Sequence, residues 1–398
     1  MMETPSPSGF TAVLVRELHR LTHKKTLLIL SFFFPVLLTV FFGLVFQRGQ
    51  ISEIPVLVLD QDRSELSATI IRFMDATASM RISGAVHSSA ELQERLLSGE
   101  AIAAVTIPKM LDRDIKKGKP VYVTVTINST NLIHSNLIMK DAKTVIKTVS
   151  GGVLLKKLRS AGMLNEQSMN RINPLKLETQ VLYNPTYSYA VYLTPGIALV
   201  MLQMIIMMVA VLLISSEHSH DTFQQLAQLS GYSAWNIFAG KIIPHFTIML
   251  INYLVIVFLL LPIFGSPVPV QVLPLIVLGI VFIGASLLVG LAIGSIVHNQ
   301  MIATEVSLFL NTPAFIFSGL TFPLWGMPAL HSAFAQIIPY THFLEAFIKL
   351  FYMETDLHMV TKELQVLSLF FLTGVIVAFT GISVSVRKSE KEEMIAEN

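Results

Sequence analysis

The sequence predicts an α-helical membrane protein with six transmembrane helices and a mixed α/β extracytoplasmic domain inserted between spans 1 and 2. Of its 398 residues, 53% are hydrophobic and 14% are charged, whereas soluble domains carry about 25% charged residues. Residues 186–214 and 242–297 contain no Asp, Glu, Lys or Arg, and about 20 apolar residues are enough to cross a bilayer. Residues 47–185 hold 31 of the 54 charged residues. The chain therefore combines a membrane part with one soluble-like insertion.

Residues 1–46 predict an amphipathic cytoplasmic helix followed by the first span. From Phe10 to Lys25, apolar residues recur at helical spacing, which is typical of a helix lying in the plane of the membrane surface. Arg16, Glu17 and Arg20 lie mostly off that apolar stripe, which consists of Phe10, Val13, Leu14, Leu18 and Leu21. Residues 26–46 are uncharged, and their apolar core exceeds that of a signal peptide. We expect a retained membrane anchor.

The distribution of basic residues predicts the orientation of the spans, which are residues 26–46, 189–214, 242–262, 272–297, 302–321 and 364–386. Basic residues precede the first span and follow the last: Arg16, Arg20, Lys24, Lys25, Arg387, Lys388 and Lys391. The loop at 262–271 carries no charge. Since basic residues favour the cytoplasmic side, both termini are predicted to be cytoplasmic.

The inserted domain, residues 47–185, alternates predicted strands and helices, which favours an α/β fold. Strands are predicted at 54–59, 81–86, 101–107 and 120–128. Ser88 to Glu91 is a capping-box signature for a helix, and a long helix is predicted from Thr130 to Ser160, broken or bent at Gly151-Gly152. Asp60 and Asp62 follow the first strand, where ligand sites often lie, but turn and N-cap roles before a helix are the favoured interpretation.

A polar segment, residues 215–241, separates the two long apolar runs within the five-span region 186–398. Phe223, Leu226 and Ala227 fall on one side of a predicted helix, and Asp221 is predicted as its N-cap. We expect this helix to receive force from a partner protein and to pass it to the spans.

The C-terminal region predicts broken helices in the outer leaflet at 321–350, because Pro323, Pro328 and Pro339 exclude one continuous helix. Glu305 lies near the cytoplasmic end of the predicted fifth span, where an intramembrane carboxylate suggests either a functional role or an interfacial ion pair. Single polar residues within spans (Gln203, Asn252 and Asn311) are interpreted as interhelical hydrogen-bond partners. Histidines 218, 220, 331 and 342 are interpreted as polar anchors rather than as metal ligands.

Several absences narrow the chemistry. The chain has no cysteine, which excludes disulfides, thiolate metal sites and cysteine nucleophiles. It has no phosphate-binding loop of the GxxxxGK[ST] type, since Trp235 stands where the first glycine would precede Gly240-Lys241. We expect neither an enzyme nor a cofactor or metal bound by this chain.

Three groups of residues carry a resemblance to a known family. The first is Tyr183-Asn184-Pro185 with Pro195-Gly196, and the second is Glu217 to Leu226 with Gly240-Lys241 and Pro244. The third is Phe317-Ser318-Gly319, Pro323, Met327-Pro328 and Pro339-Tyr340-Thr341-His342-Phe343. Together they resemble the permease subunits of the second class of ATP-binding-cassette exporters, in the subgroup with a large extracytoplasmic domain after the first span. The resemblance covers essentially the whole chain.

The sequence departs from the family pattern in the polar segment. Asp221-Thr222 stands where the family has Gly-Thr, and Gln224-Gln225-Leu226 where it has Glu-Gln-Leu. Ser216, His218 and His220 replace the usual basic residues. Such changes are typical of one partner in a complex of two different permeases.

The resemblance implies a permease that works with a separate ATPase subunit, which binds the ATP and Mg. The implied coupling residues are Glu217, Asp221, Thr222, Phe223, Gln225 and Leu226, and the first helix with Arg16, Glu17 and Arg20 would also touch the ATPase. The implied signature before the last span comprises Ser318, Gly319, Pro323, Pro328, Pro339, Thr341 and His342. The other implied partners are a second permease (the same or a sister chain), a periplasmic adaptor and membrane lipids, with no nucleic acid, in a bacterial inner membrane.

The expected function is export of a hydrophobic or amphipathic substrate such as a drug or lipid, because the uncharged spans offer little to a charged one. Two other classes stay open. A membrane-anchored sensor or scaffold with a ligand-binding outer domain would not need so many spans. A secondary transporter would favour ionisable residues at mid-membrane and internal repeats, for which the sequence offers only Glu305.

Overall fold

A computed structural model describes residues 9–47, 49, 52–162, 180–185 and 187–397. The chain divides into two compact units. We call residues 50–180 the inserted unit, and the rest of the chain the membrane unit. The residues 163–179, which hold part of the predicted connection between the insertion and the second span, lie outside the described residues.

The inserted unit contains a four-stranded sheet in the order β2-β1-β3-β4. Strand β1 (Ile54–Asp60) pairs in parallel with β2 (Met80–Ala85) and with β3 (Ala103–Ile107). Strand β4 (Thr124–Ile127) runs antiparallel to β3. Each strand lies where the sequence predicts one, because runs of β-branched and apolar residues bounded by turn residues are a strong strand signal.

Among the residues that the structure describes, four helices accompany this sheet: α3 (Glu65–Asp75), α4 (Ser89–Leu97), α5 (Leu111–Lys116) and α6 (Leu132–Ser160). The capping prediction at Ser88 is confirmed, since its side chain accepts a hydrogen bond from the Glu91 N–H at 3.1 Å. The helix is not broken at Gly151-Gly152, because α6 continues through both glycines, and the alternative of a bend there stays a prediction. A glycine costs a helix only about 1 kcal/mol, and the surrounding helix-forming residues outweigh that cost.

The two aspartates after β1 organise turns. Asp60 Oδ1 accepts hydrogen bonds from the backbone N–H groups of Asp62 and Arg63, both at 3.0 Å. Asp62 accepts one from the Asp112 N–H at 3.1 Å. Ser64, and neither aspartate, caps α3. Both carboxylates are thus engaged by backbone groups, as expected of turn residues.

Within the described part of the membrane unit, α1 (Phe10–His23) comes first, and five helices are long and apolar enough to cross a membrane. They are α2 (Lys25–Val45, with a π-helical turn at Ile29–Phe33), α7 (Tyr189–Ser219), α9 (Ala234–Ile263), α10 (Val272–Ile296) and the segment Leu357–Ile395, which contains most of α15 (Thr361–Glu397). Of these five, α7 is the most enclosed, because 78% of its apolar 18-residue stretch is buried. It is the central helix of the unit.

The predicted fifth span, residues 302–321, is divided into two helices. Helix α11 (Gln300–Asn311) ends before Pro313, and α12 (Ala314–Phe317) follows it. A proline has no N–H to donate and clashes with the preceding turn. A 3-10 turn (Leu324–Gly326), α13 (Ala329–Gln336) and α14 (Pro339–Phe351) come next. A sixth crossing therefore stays a prediction.

The glycine pair of α10 packs against α7 in the same chain. A Cβ atom on Gly290 would lie 2.7 Å from the Met207 carbonyl oxygen, and one on Gly294 would overlap the Val211 backbone. Only glycine permits so close an approach of two helices. Gly290 and Gly294 thus bring α10 and α7 together within the chain.

Candidate functional site

A buried charge cluster joins three helices of the membrane unit at Glu17, Glu217 and Lys241. The Lys241 Nζ atom lies 2.6 Å from Glu217 Oε1 and 2.7 Å from Glu17 Oε2. The side chain of Lys241 is fully buried, and both carboxylates are at most 3% exposed. Because a buried charge is tolerated only when it is paired, these three residues fix α1, α7 and α9 relative to one another.

Two arginines of α1 also bind the carboxylate of Glu217. Arg16 Nη2 donates to Glu217 Oε2 at 2.9 Å, and Arg20 Nη1 donates to Glu217 Oε1 at 3.1 Å. Arg20 Nη2 also donates to Ser216 Oγ at 2.6 Å. Glu217 thus holds three cationic groups, which lie on two different helices. Its contacts make it the centre of the cluster.

Glu17 has a second partner in α9. His245 Nε2 lies 3.1 Å from Glu17 Oε1, and since a carboxylate can only accept, the imidazole N–H donates. Burial alone would raise the pKa of Glu17, but the charge of Lys241 and the hydrogen bond from His245 outweigh it and hold that pKa well below its usual range. Glu17 therefore stays ionised and keeps its hold on both Lys241 and His245.

The cluster extends to the start of the short helix α8 (Phe223–Leu229). The Thr222 hydroxyl donates to Glu217 Oε2 at 2.5 Å, and the Thr222 N–H donates to the Glu217 carbonyl oxygen at 2.9 Å. The prediction that Asp221 caps this helix is wrong. Thr222 flanks the helix start, while Asp221 is exposed in a left-handed conformation with φ of 52°. That conformation turns the chain sharply after α7, so the carboxylate of Glu217 anchors the helix start instead.

The apolar side of α8 faces the interior of the chain. Phe223, Leu226 and Ala227 are buried in a cluster that includes Val13 of α1 and Ile382 of α15. The outward side presents Asp221, Gln225 and Gln228 to solvent. Gln224 bridges to the C-terminal part of α15, since its Nε2 donates to the Ser389 carbonyl oxygen at 3.1 Å and to Glu393 Oε2 at 3.3 Å. Any partner that docks on α8 would therefore meet its polar side.

The buried face of α1 differs from the predicted apolar stripe. Val13, Glu17 and Leu21 are buried, whereas Leu18 is 46% exposed. Helix α1 packs on α9, where a Cβ on Gly240 would collide with the Val13 side chain. Glu17 points inward, where its carboxylate pairs with Lys241, so an ionic contact helps to define the buried face. Apolar periodicity alone could not reveal this orientation.

The predicted signature residues before the last span hold bends and helix ends. The Tyr340 hydroxyl donates to the Gly196 carbonyl oxygen of α7 at 2.5 Å. Thr341 Oγ1 donates to the Ala335 carbonyl oxygen at 2.7 Å, and His342 Nε2 lies 3.0 Å from that of Gln336. The other signature residues lie at turns and helix ends. Ser318 is buried, and Gly319 follows it in a left-handed conformation with φ of 93°. Pro323 precedes the 3-10 turn, Pro328 precedes α13 and Pro339 begins α14. Their contacts are structural, and none of those given above reaches the charge cluster.

The interhelical hydrogen bonds predicted within the spans are confirmed. Gln203 Nε2 donates to Asn311 Oδ1 at 2.9 Å, and Asn252 Nδ2 donates to the Ser31 carbonyl oxygen at 2.7 Å. Glu305 is exposed on α11. His218 is stacked between His298 and Phe223, with ring centroids 3.9 and 4.3 Å apart. The described residues contain no group of three or more His, Cys, Asp or Glu side chains that could hold a metal ion.

Sequence reasoning missed Lys241 and His245 as members of this site. Lys241 was considered only as part of the Gly240-Lys241 pair, and His245 was not considered. A signal was present, because the two residues lie four apart, on one face of an otherwise apolar helix. A charged residue in such a helix requires a partner, and Glu17 and Glu217 are among the carboxylates near the same predicted membrane face.

Comparisons with known proteins agree with this architecture. The family model described as "ABC-2 family transporter protein" matches residues 25–384. Two similar proteins of Escherichia coli (strain K12) are named probable multidrug ABC transporter permeases, YbhR and YbhS. YbhR is 22% identical over 333 residues (83% of this chain and 86% of the relative), and YbhS is 24% identical over 352 residues (85% and 87%). The ABC transporter G family member 20 of Dictyostelium discoideum is 27% identical over 186 residues, which cover 45% of this chain and 25% of that protein.

Proposed function

Because the chain belongs to the ABC-2 family of transporter proteins, we propose that it is the permease subunit of an ATP-binding-cassette exporter. A separate ATPase subunit supplies the energy, and the substrate is a hydrophobic or amphipathic molecule that moves out of the cytoplasm or the inner leaflet. The names of the two bacterial relatives, which call them probable multidrug permeases, support this substrate class. So does the absence of Asp, Glu, Lys and Arg from residues 186–214 and 242–297.

The observation that carries the proposal is the connection of α8 to the spans through the buried charge cluster. Glu217 lies at the end of the central helix α7 and binds Thr222 at the start of α8. Through Lys241 and the arginines it also reaches α9 and α1. A displacement of α8 is therefore passed to three helices at once, as a coupling element requires.

The docking surface for the ATPase is the polar side of α8. Since Phe223 and Leu226 are buried, they transmit the displacement and do not contact the partner. Gln225 and Gln228, together with Asp221, form the contact. ATP-driven closure of the ATPase pair pushes α8 and tilts α7, and the transport cycle is biased only as far as the ATPase binds the two states with different affinity.

The remaining features of the assembly belong to the same proposal. The chain has six spans, with both termini and α8 in the cytoplasm of a bacterium, and residues 47–185 lie outside the inner membrane. The ATPase binds the ATP and Mg. The permease works with a second copy or a sister chain, and a periplasmic adaptor docks on the outer part.

The experiment is purification of the chain from its native membrane in mild detergent, followed by identification of the bound proteins and assay of vanadate-sensitive ATP hydrolysis. We expect a stoichiometric ATPase subunit. The double variant Gln225→Lys/Gln228→Lys should lose that ATPase, because two added charges alter the polar side of α8. The control Gln93→Lys changes an exposed glutamine of α4 and should retain it.

Two outcomes would contradict the proposal. A chain that purifies alone and inert, under conditions that keep known transporter complexes intact, would argue for a sensor or a secondary transporter. Equal retention of the ATPase by the α8 variant and its control would remove α8 as the docking surface, even if the ATPase itself were present.

A further inference from the structure

The inserted unit contains a cleft of about 550 Å³ between α3, α5 and α6. Leu66 of α3, Ile115 of α5 and Val153 of α6 give it apolar walls. Pockets that bind small molecules usually measure about 300–1,000 Å³ and are mostly apolar, with a few polar groups that fix the ligand. The cleft has the size of such a site, and its lining combines the three apolar side chains with seven polar or charged ones.

The cleft opens where the inward face of α6 changes character. Four residues up to Val149 recur at helical spacing and are buried: Ile138, Ala142, Val145 and Val149. After Val149, no described residue of α6 is buried. The same face continues with Val153, followed by two lysines and a serine. Ammonium groups cannot enter an apolar core without a partner. The part of α6 after Val149 therefore does not pack tightly against α3 and α5.

The lysines in question, Lys156 and Lys157, line the cleft. Asp112 is already paired, since its Oδ2 atom lies 2.5 Å from the Lys116 Nζ. Neither Lys156 nor Lys157 forms an ion pair with any described residue. Glu65 is the other carboxylate in the lining, so the five charged side chains there leave a net positive charge. Two adjacent cationic groups thus stand beside an apolar wall.

We propose that this cleft binds a small amphipathic anion, a molecule with an alkyl portion and one carboxylate or phosphate group. The alkyl portion packs against Leu66, Ile115 and Val153, and the anionic group binds Lys156 and Lys157. Charge-assisted hydrogen bonds to a carboxylate or phosphate are among the stronger polar contacts. The site lies within the inserted unit and does not depend on the transport function proposed above.

The test uses the full chain in nanodiscs of zwitterionic lipid, with dansyl-labelled undecanoate as the probe. Dansyl emission rises when the probe enters an apolar site. We expect saturable binding that dodecanoate and dodecyl phosphate displace, whereas the neutral dodecanol and inorganic phosphate do not. The variant Lys156→Gln/Lys157→Gln should lose at least about tenfold in affinity, which corresponds to about 1.4 kcal/mol.

A matched control and a cavity-filling variant complete the design. Lys143→Gln/Lys147→Gln removes two exposed lysines from the same helix but outside the cleft, and it should bind as the unchanged protein does. Val153→Trp fills the cleft and should abolish binding. If that variant fails to fold, the comparison of the two lysine variants still tests the site. All four lysines are exposed, so neither variant should disturb folding.

Each alternative outcome overturns a stated part of the proposal. Equal binding by both lysine variants would place the probe in the bilayer, and displacement by dodecanol would show that the anionic group is not recognised. No saturable binding would remove the site. Repetition in discs of anionic lipid identifies the natural source: loss of probe binding there indicates a lipid headgroup, and unchanged binding indicates a free anion.

Discussion

At the scale of single residues, Lys241 is the key to the membrane unit, because two carboxylates from two other helices share its ammonium group. A buried ion pair is weak evidence of net stabilisation, since desolvation of the charges offsets their attraction. Removal of one partner is different, because the remaining charges stay buried without compensation. The cluster therefore specifies how α1, α7 and α9 fit together, more than how tightly they do so.

Replacement of Lys241 by Met tests this role. The variant leaves Glu17 and Glu217 with fewer partners inside the protein, and we expect a loss of about 3–5 kcal/mol in the free energy of unfolding. The measurement is thermal unfolding in nanodiscs, followed by tryptophan fluorescence. The control Lys388→Met removes a lysine whose side chain is 79% exposed and 3.9 Å from Glu392, and such surface pairs contribute about 0–1 kcal/mol. Equal shifts in the two variants would show that the cluster is not a structural centre.

At the scale of elements, the sequence predicts what is local and misses what depends on distant partners. The strands at 54–59 and 101–107 follow from their own composition. The start of α4 after its N-cap Ser88 follows from local sequence in the same way. The orientation of α1 does not, because its inward face is decided by Lys241, more than 200 residues away. The uninterrupted helix at Gly151-Gly152 was missed for a similar reason, since the cost of two glycines is weighed against the whole of α6.

The coupling element itself yields a second prediction. Thr222→Val removes the hydroxyl that donates to Glu217 and keeps the shape of the side chain. A hydrogen bond to a charged group contributes about 1.5–3 kcal/mol, so the start of α8 should open at least about tenfold more often. Hydrogen exchange of the amides of residues 223–229 measures this opening, and we expect a matching loss of ATPase stimulation.

Thr380→Val is the control for that experiment. Thr380 is exposed, and its hydroxyl donates only to the Ile376 carbonyl oxygen of its own helix. Exchange in α8 should be unchanged there. If Thr222→Val also left α8 protected, the hydroxyl of Thr222 would not be the connection between Glu217 and the coupling element, and the backbone hydrogen bond from the Thr222 N–H to the Glu217 carbonyl oxygen would remain as that connection.

At the scale of the whole molecule, the chain leaves and re-enters the membrane unit at neighbouring points. The Tyr189 N–H donates to the Gly49 carbonyl oxygen at 2.6 Å, and the Phe46 and Tyr189 rings stack with centroids 6.2 Å apart. A segment whose two ends lie side by side can be removed without displacing the rest. The division into two compact units agrees with such an insertion, although composition alone gave its limits as 47–185.

Deletion of residues 53–178 should therefore leave a protein that inserts normally into the membrane. Because the chain has no cysteine, single cysteines report its topology. Val268→Cys, at a residue 74% exposed in the loop before α10, should react in intact cells with a membrane-impermeant maleimide, and Lys391→Cys should react only after lysis. Both patterns should be the same in the full chain and in the deletion variant.

Tyr122→Cys, 82% exposed in the inserted unit, should react from outside in the full chain. Loss of insertion on deletion would mean that the spans need the inserted unit to fold, and labelling of Lys391→Cys in intact cells would reverse the proposed orientation.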